Sequence, residues 1–269
     1  MDLGLVGAFV AINGGSKGMG RAAAECIARD GANVAVLART QGALDDTVAV
    51  LRDLGSPDPV GIATDLTNDV GVAAAFAQLR ERWGMLHALV NAAGPVEVGI
   101  GGFAAIDDAE WFATFDIGTL SAVRCVRHAL PLLRLAPWAR IVNVSAHSVR
   151  RQSPAIVAYT ASKAALTSVS KNLSLSLAAE GILVNTVSPG SFNSPGMRDY
   201  VLALPADRNA DPDDLYDVMR IIDEDFGHPS HLRRAGDPAE IGPVIAFLIS
   251  KCNTYMTGAD INVDGGSDF

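Results

Sequence analysis

The chain has 269 residues, 49% of them apolar and 19% charged, with a formal net charge of -9. That balance supports a large buried core and excludes a disordered chain, while the acidic excess excludes nucleic acid, whose phosphates need a basic face, as the main partner. The three cysteines (Cys26, Cys125, Cys252) include no CxxC pair, which points to a reducing, cytoplasmic setting without disulfides or a zinc site; there is no signal peptide pattern, and no apolar run reaches the ~18 residues a membrane span needs.

The first predicted strand, 7–12, runs into Asn13-Gly14-Gly15-Ser16-Lys17-Gly18-Met19-Gly20 and a helical pattern over 18–30. Gly14, Gly18 and Gly20 are spaced GxxxGxG. Glycine permits a tight turn and lets a pyrophosphate approach the backbone. A helix beginning near Gly18 aims free N–H groups and its positive end at that phosphate. A plain strand-to-helix turn carries the same spacing, but a place in the first βαβ unit favours dinucleotide binding. The second strand, 33–38, leads through Arg39 and Thr40 into a helix over 42–54. NAD sites place an Asp or Glu at this strand end for the ribose 2′-hydroxyl. Here a guanidinium stands there instead, suited to a 2′-phosphate, with Lys17 as a second cation. The predicted cofactor is therefore NADP(H); the plainer alternative is two solvated surface cations.

Further strands follow at 59–63, 86–90, 140–145, 182–188 and 259–263, with helical patterns at 69–83, 108–134, 155–180 and 238–250. The strands are apolar through most of their length, as expected for strands covered on both faces. The alternation predicts an α/β fold: a single-domain, doubly wound parallel sheet of the Rossmann type with about seven strands, over 1–269. Residues 191–234 break the rhythm after the sixth strand. They carry four prolines, an acidic stretch from Asp207 to Asp225, and Leu215, Val218, Met219 and Ile222 at helical spacing. Their position at a strand's carboxyl end predicts a substrate lid; the alternative is a surface excursion with two short helices.

Within the helix over 155–180, Tyr159 and Lys163 are four residues apart and share a face. An ammonium beside a phenol stabilises the phenolate and lowers a pKa that starts near ~10. The pair suits general acid/base chemistry near neutral pH. A surface tyrosine on an amphipathic helix would look the same in isolation.

Taken together, the glycine loop, Asp65 in ATDLTN, Asn91-Ala92-Ala93-Gly94, YTASKAAL, Asn185…Pro189-Gly190 and RRAGDPAEIG…YMTGADINVDGG are specific. On them the chain resembles the short-chain dehydrogenase/reductase family nearly end to end. The resemblance implies that Tyr159 is the proton donor and acceptor, and that Lys163 binds the nicotinamide ribose and tunes Tyr159. It implies a cofactor site built from Gly14, Ser16, Lys17, Gly18 and Met19, from Arg39 and Thr40, and from Asp65 and Leu66 at the adenine edge. Asn91, Ala92, Ala93 and Gly94 would support the cofactor side of the sheet. Pro189, Gly190, main chain near Phe192 and the hydroxyl of Ser194 would hold the carboxamide side. It also implies a homo-oligomer, dimer or tetramer, through helices 108–134 and 155–180.

The chain departs from the family at two positions. The family's catalytic serine, thirteen residues before the tyrosine, is Ala146 here, flanked by Ser145 and Ser148. If the strand stays extended, alternation puts Ser148 on the face of residue 146; a shift of one residue makes it Ser145. The family's asparagine in the helix after Asn91 is Gly118, with Thr119 beside it. His147 reads as a turn residue, and His228 and His231 as no metal site, for want of a third ligand. Two functional readings remain. One is an NADP(H)-dependent oxidoreductase, a carbonyl reductase acting on a small-molecule ketone or alcohol, the lid's apolar residues suiting a hydrophobic or medium-sized substrate. The other, motivated by Ala146 and Gly118, is a dinucleotide-binding sensor or scaffold with weak chemistry.

Overall fold

The computed structural model describes residues 2–95 and 102–267. Seven parallel strands form one sheet: β1 (Phe9–Asn13), β2 (Asn33–Ala38), β3 (Val60–Ala63), β4 (Ala88–Asn91), β5 (Ala139–Val144), β6 (Ile182–Pro189) and β7 (Asp260–Val263). Their order is β3-β2-β1-β4-β5-β6-β7. The chain therefore reverses its winding between β1 and β4, and a crevice opens there at the carboxyl ends of the strands. This is the doubly wound parallel sheet that the alternating pattern predicts.

Apolar runs such as the Val34-Ala35-Val36-Leu37 segment of β2 are buried on both faces because helices cover both faces. Each fully buried Val, Leu or Ile contributes roughly 1.5–3 kcal/mol. On one face pack α1 (Gly18–Arg29), α2 (Gln41–Asp53) and α9 (Pro238–Leu248), through Ala23, Ile27, Leu44, Ile241 and Ile245. On the other pack α3 (Asp69–Trp83), α5 (Ser121–Leu133) and α6 (Val157–Leu177), through Phe76, Leu79, Val126 and Leu132. Local chemistry fixes the helix ends. The side chain of Asn68 accepts from Val70 N and Gly71 N at the start of α3, and Gly84 closes it in the left-handed conformation. Asp237 and Glu240 form a capping box on α9.

The helical pattern over 108–134 is not one helix. It divides into α4 (Asp108–Phe115), a π-helical turn (Asp116–Leu120) and α5. The cause is close approach to α6. A Cβ on Gly118 would lie 2.9 Å from Ser162 Cβ and nearer still to Ser162 Oγ, and Thr119 Oγ1 donates to the Ser162 carbonyl at 2.7 Å. The widened turn accommodates that contact.

The segment after β6 holds α7 (Pro195–Leu202) and α8 (Leu215–Phe226). It has a small core of its own, Val201, Val218, Met219, Ile221, Ile222 and Ala235. Its two ends are pinned together: Phe192 and Gly236 form a bridge, with Gly236 N donating to Ser191 O at 2.9 Å and Asn193 N to Gly236 O at 2.8 Å. No helix among the described residues is long and apolar enough to cross a membrane.

Candidate active site

The crevice between β1 and β4 is where sequence-predicted residues gather. Gly14 follows β1 at φ 68°, and a Cβ there would lie 2.6 Å from Ala93 N. A Cβ on Gly20 would overlap the Gly14 carbonyl oxygen. These two glycines bring the turn, the start of α1 and the Asn91–Gly94 turn to backbone contact, which no side chain would allow. Helix α1 begins with no side-chain cap on its first N–H groups and no acidic residue in its first turn. The cradle therefore keeps its unpaired donors and its positive dipole end for an anion.

One polar row crosses the sheet at this level. Asn13, Asn91 and Asn143 are register partners on β1, β4 and β5. Ala93 N donates to Asn13 Oδ1 at 3.0 Å, and Asn13 Nδ2 donates to Asn91 Oδ1. Asn91 Nδ2 donates to Asn143 Oδ1 at 2.6 Å, and Asn143 Nδ2 to Ser170 Oγ on α6 at 2.8 Å. All four polar side chains are buried, and pairing spares them the cost of an unsatisfied buried group. The row ties the glycine turn to the helix that carries Tyr159 and Lys163.

Lys163 is buried, 3% exposed, and its Nζ donates to the Val144 carbonyl at 2.9 Å. It lies 6.0 Å from the centre of the Tyr159 ring, and a Cβ on Gly94 would lie 2.9 Å from it. Burial disfavours the ammonium and pulls its pKa down to about 8. Tyr159 is half-buried one turn earlier on the same face of α6. The pair therefore sits beside the Asn91–Gly94 turn, at the mouth of the crevice.

The two candidate serines part company. Strand β5 ends at Val144, and a short 3-10 turn, His147–Val149, follows. Ser145 turns into the α6 interface: its Oγ donates to Lys163 O at 3.1 Å and shares a 2.7 Å bond with Thr167 Oγ1. Ser148 Oγ instead accepts from Thr160 Oγ1 at 3.1 Å, which leaves its own hydroxyl proton available. Ala146 between them is buried and offers a methyl only.

The remaining cofactor-site candidates line the same carboxyl edge. Arg39 and Lys17 are exposed, and Thr40 stands at the start of α2 with no side-chain cap bond. Asp65 Oδ1 accepts from Thr67 N at 3.0 Å and Thr67 Oγ1 at 2.7 Å; these bonds hold its carboxyl below the ordinary range. The Leu66 carbonyl accepts from Arg124 at 3.2 Å. Gly190 lies so close to β7 that a Cβ would be 2.6 Å from Asp264 Cα. Phe192 is buried, and Ser194 Oγ accepts from Met197 N at 3.2 Å to cap α7. Pro195 at the start of α7 overhangs the glycine turn: a Cβ on Gly18 would be 3.2 Å from Pro195 Cδ. Ser16 and Met19 are half-buried in the turn and first helical residues.

Three features of the site have no signature in the one-dimensional pattern: Thr160 behind Ser148, the Asn143–Ser170 end of the amide row, and a buried pair of His147 with His228. Each joins residues on different elements. His231 is exposed, and among the described residues no group of three or more His, Cys, Asp or Glu side chains is placed to hold a metal.

The family model described as Enoyl-(Acyl carrier protein) reductase matches residues 14–268. An oxidoreductase of Bacillus subtilis, YvrD, is 31% identical over 266 residues, covering 99% of this chain and 98% of its own length. L-Sorbose reductase from Gluconobacter frateurii, solved with NADPH and L-sorbose, superposes with a TM-score of 0.90 at 27% identity, covering 100% of this chain and 99% of that one. RhlG of Pseudomonas aeruginosa, solved as an NADP active-site complex, superposes with a TM-score of 0.82 at 28% identity, covering 99% and 98% of the two chains. By its sequence and its fold, the chain belongs to the short-chain dehydrogenase/reductase family of oxidoreductases.

Proposed function

We propose that the protein is an NADP(H)-dependent oxidoreductase that interconverts a ketone and a secondary alcohol, with Tyr159 as the general acid and base. The observation that carries this reading is the buried Lys163 ammonium, 6.0 Å from the Tyr159 ring and against Gly94 at the crevice. The cradle fits a dinucleotide, because Gly14 and Gly20 leave no room for a Cβ and the first N–H groups of α1 lack a side-chain cap. Gly14 to Met19 would hold the pyrophosphate. Asp65 and Leu66 would meet the adenine, Lys163 the nicotinamide ribose, and Pro189 to Ser194 the carboxamide side. When bound, the cofactor supplies or accepts the hydride.

The chain's own residues handle the proton. In the reductive direction the Tyr159 hydroxyl gives its proton to the carbonyl oxygen as charge develops there. The Lys163 ammonium stabilises the phenolate left behind. Ser148, with its oxygen already accepting from Thr160, donates to the same oxygen. The excursion at 191–234 closes over the substrate, and exposed apolar side chains, Phe112 on α4 and Leu175 on α6, support assembly into a dimer or tetramer. Two solved relatives that carry NADPH or NADP support the cofactor assignment. The test is turnover of NADPH against a panel of ketones, preceded by thermal shifts with NADPH and NADH; the tighter cofactor gives the larger shift. A second reading, a dinucleotide-binding sensor, is favoured by Ala146 and Gly118, and NADPH binding without turnover on any ketone or alcohol is the result that would select it.

Two variants test the assignments. Arg39→Asp removes the guanidinium facing a 2′-phosphate and supplies an acceptor for a 2′-hydroxyl. The ratio of kcat/KM for NADPH over NADH is expected to fall by about 10- to 100-fold, the worth of roughly 1.5–3 kcal/mol in a charge-assisted bond. An unchanged ratio would show that Arg39 is an ordinary surface cation. Ser148→Ala is expected to lower kcat by roughly 100-fold, the scale of one lost donor to a developing oxyanion, with a fall of a few degrees in melting temperature as Thr160 loses its acceptor. Ser145→Ala is expected to lower the melting temperature while leaving kcat near wild type, because Ser145 serves the β5–α6 interface. Parallel turnover and thermal unfolding measurements separate the two.

A further inference from the structure

His147 stands between Ala146 and Ser148, and its ring is held at both nitrogens. Nδ1 lies 3.0 Å from the Pro189 carbonyl oxygen, and Nε2 lies 3.1 Å from Nδ1 of His228. Both imidazoles are buried, each 7% exposed, and they meet edge to face with centres 5.2 Å apart. The tautomers follow from one atom. A carbonyl oxygen only accepts, so His147 carries its proton on Nδ1. Its Nε2 is then a lone pair, so His228 carries its proton on Nδ1 and donates.

His228 follows Gly227, the left-handed cap of α8. Ser191 Oγ, at the other end of the excursion, donates to the His228 carbonyl at 3.0 Å. Arg151, four residues past His147, donates to the carbonyls of Gly227 (3.3 Å), Pro229 (3.3 Å) and Ser267 (2.9 Å). Residues 147–151 therefore clasp residues 227–229 from two sides. They also touch Pro189, the last residue of β6 before Gly190. One imidazole joins the turn with Ser148, the end of β6 and the excursion.

We propose that His228 is a positioning residue for Ser148: through its bond to His147 it fastens the 191–234 excursion to the catalytic turn, and a proton taken up by the pair loosens that fastening. The inference rests on the reading that places Ser148 and Tyr159 at the reacting oxygen. A second proton on His147 sets N–H against N–H, forces His228 into its other tautomer and leaves a charge buried in the pair. A proton on His228 adds a buried charge beside the Arg151 guanidinium. Among the described residues, the charged and titratable groups that bear on His228 are His147 and Arg151; Arg150, between them in sequence, donates to Asp260 Oδ2 at 3.2 Å. Burial, then His147, then Arg151 push the His228 pKa down to about 4. An unclasped, solvated histidine titrates near ~6.5. The clasp is therefore fully favoured above about pH 6.5, and it loses ground as pH falls from there toward about 4, while the open form takes up protons that the closed form does not.

The first experiment is 15N NMR of the imidazole rings in the ligand-free protein at pH 8. The expected result is both rings protonated at Nδ1 and unprotonated at Nε2. Either ring in the other tautomer, or averaging between tautomers, overturns the proposal. The second experiment compares His228→Leu with His228→Asn, whose amide nitrogen takes the place of Nδ1 and donates without titrating. His228→Leu is expected to lower kcat/KM for the carbonyl substrate about tenfold, the upper end of one buried neutral hydrogen bond, with KM for NADPH unchanged. His228→Asn is expected to recover most of that loss, with the acid limb of its pH profile displaced to lower pH. Wild-type kcat/KM in His228→Leu, or a wild-type acid limb in His228→Asn, overturns it. The third is limited proteolysis of the excursion at pH 8 and pH 5 without substrate. Faster cleavage at pH 5 in the wild type and not in His228→Asn is expected; equal rates overturn the clasp. If no carbonyl is turned over at all, the functional reading falls, while the NMR and proteolysis results still decide whether the clasp exists.

Discussion

Replacing Tyr159 with phenylalanine is expected to lower kcat by about 100- to 10,000-fold, the range for loss of a positioned general acid, and to leave NADPH affinity within about twofold. The ring stays where it is. Tyr159 is half-buried on α6, and a phenyl group keeps the contact with the Lys163 ammonium at 6.0 Å. Only the proton-carrying hydroxyl goes. Stopped-flow turnover separates this outcome from loss of fold, and thermal shifts with NADPH give the binding arm. Full turnover in the variant would end the mechanism proposed above.

The same pair sets a pH dependence. Lys163 is held at about 8 by burial, where a solvated lysine would be near 10.5. Its ammonium is present below about pH 8 and lost above it, and with it goes the charge that in the proposed mechanism stabilises the Tyr159 phenolate. The reductive kcat/KM is expected to be flat from about pH 6.5 up to this point and to fall through an alkaline limb centred near pH 8. A limb at the unperturbed lysine value would mean that the buried ammonium does not govern the phenol.

Substituting asparagine for Gly118, the family's residue at this position, is expected to damage the protein rather than improve it. The space is already filled. Even the first atom of a side chain would lie 2.9 Å from Ser162 Cβ and 3.4 Å from Pro95 Cδ. Ser162 is not free to withdraw, because its Oγ donates to the Tyr159 carbonyl at 2.8 Å and its own carbonyl accepts from Thr119. Forcing a side chain into a packed interface costs roughly 1–3 kcal/mol. At about 2–4 °C per kcal/mol for a chain of this size, the melting temperature should fall by several degrees. Displacing α6 also displaces Tyr159 and Lys163, so kcat is expected to drop by about tenfold or more, within the ~100-fold that a 1 Å misplacement can cost. Calorimetry with parallel turnover checks both. An unchanged melting temperature with a higher kcat would show that the interface is slack and that the missing amide alone limits the rate.

The legible parts of this molecule are those in which chemistry and spacing coincide along the chain. The glycine turn, the acidic residue's absence after β2, and Tyr159 one helical turn from Lys163 each combine a residue type with a local geometry, and the parallel, doubly wound sheet follows from strand–helix alternation. What stayed hidden depends on which element touches which. Whether Ser145 or Ser148 stands free was undecidable from alternation, because β5 does not remain extended: it stops at Val144 and tightens into a 3-10 turn. The break in the pattern over 108–134 comes from contact with Ser162, far away in sequence. His147 read as a turn residue because its partner lies 81 positions later. The excursion's helices were legible as apolar spacing; their private core was not, since Val201 and Ile222 meet only after Pro205 and Pro212 turn the chain back.

The row of amides across the sheet has a sense of direction. At one end the donor is a backbone N–H, that of Ala93, which cannot be turned round. It obliges Asn13 to present oxygen to it and nitrogen to Asn91, which must then do the same toward Asn143, and so on to Ser170, whose proton runs on to the Leu166 carbonyl at 2.7 Å. Three side chains that each have two orientations thus have one between them, and their dipoles add head to tail. A carboxylate only accepts; aspartate at any of the three positions would turn round the amides beyond it, call the Ser170 proton away from the Leu166 carbonyl and bury a charge in the seam. The sheet therefore tolerates the loss of a methylene elsewhere more readily than the exchange of a single nitrogen for oxygen here. Deamidation at any of these three asparagines would therefore register across the whole row, from the turn after β1 to α6, and not at one residue alone.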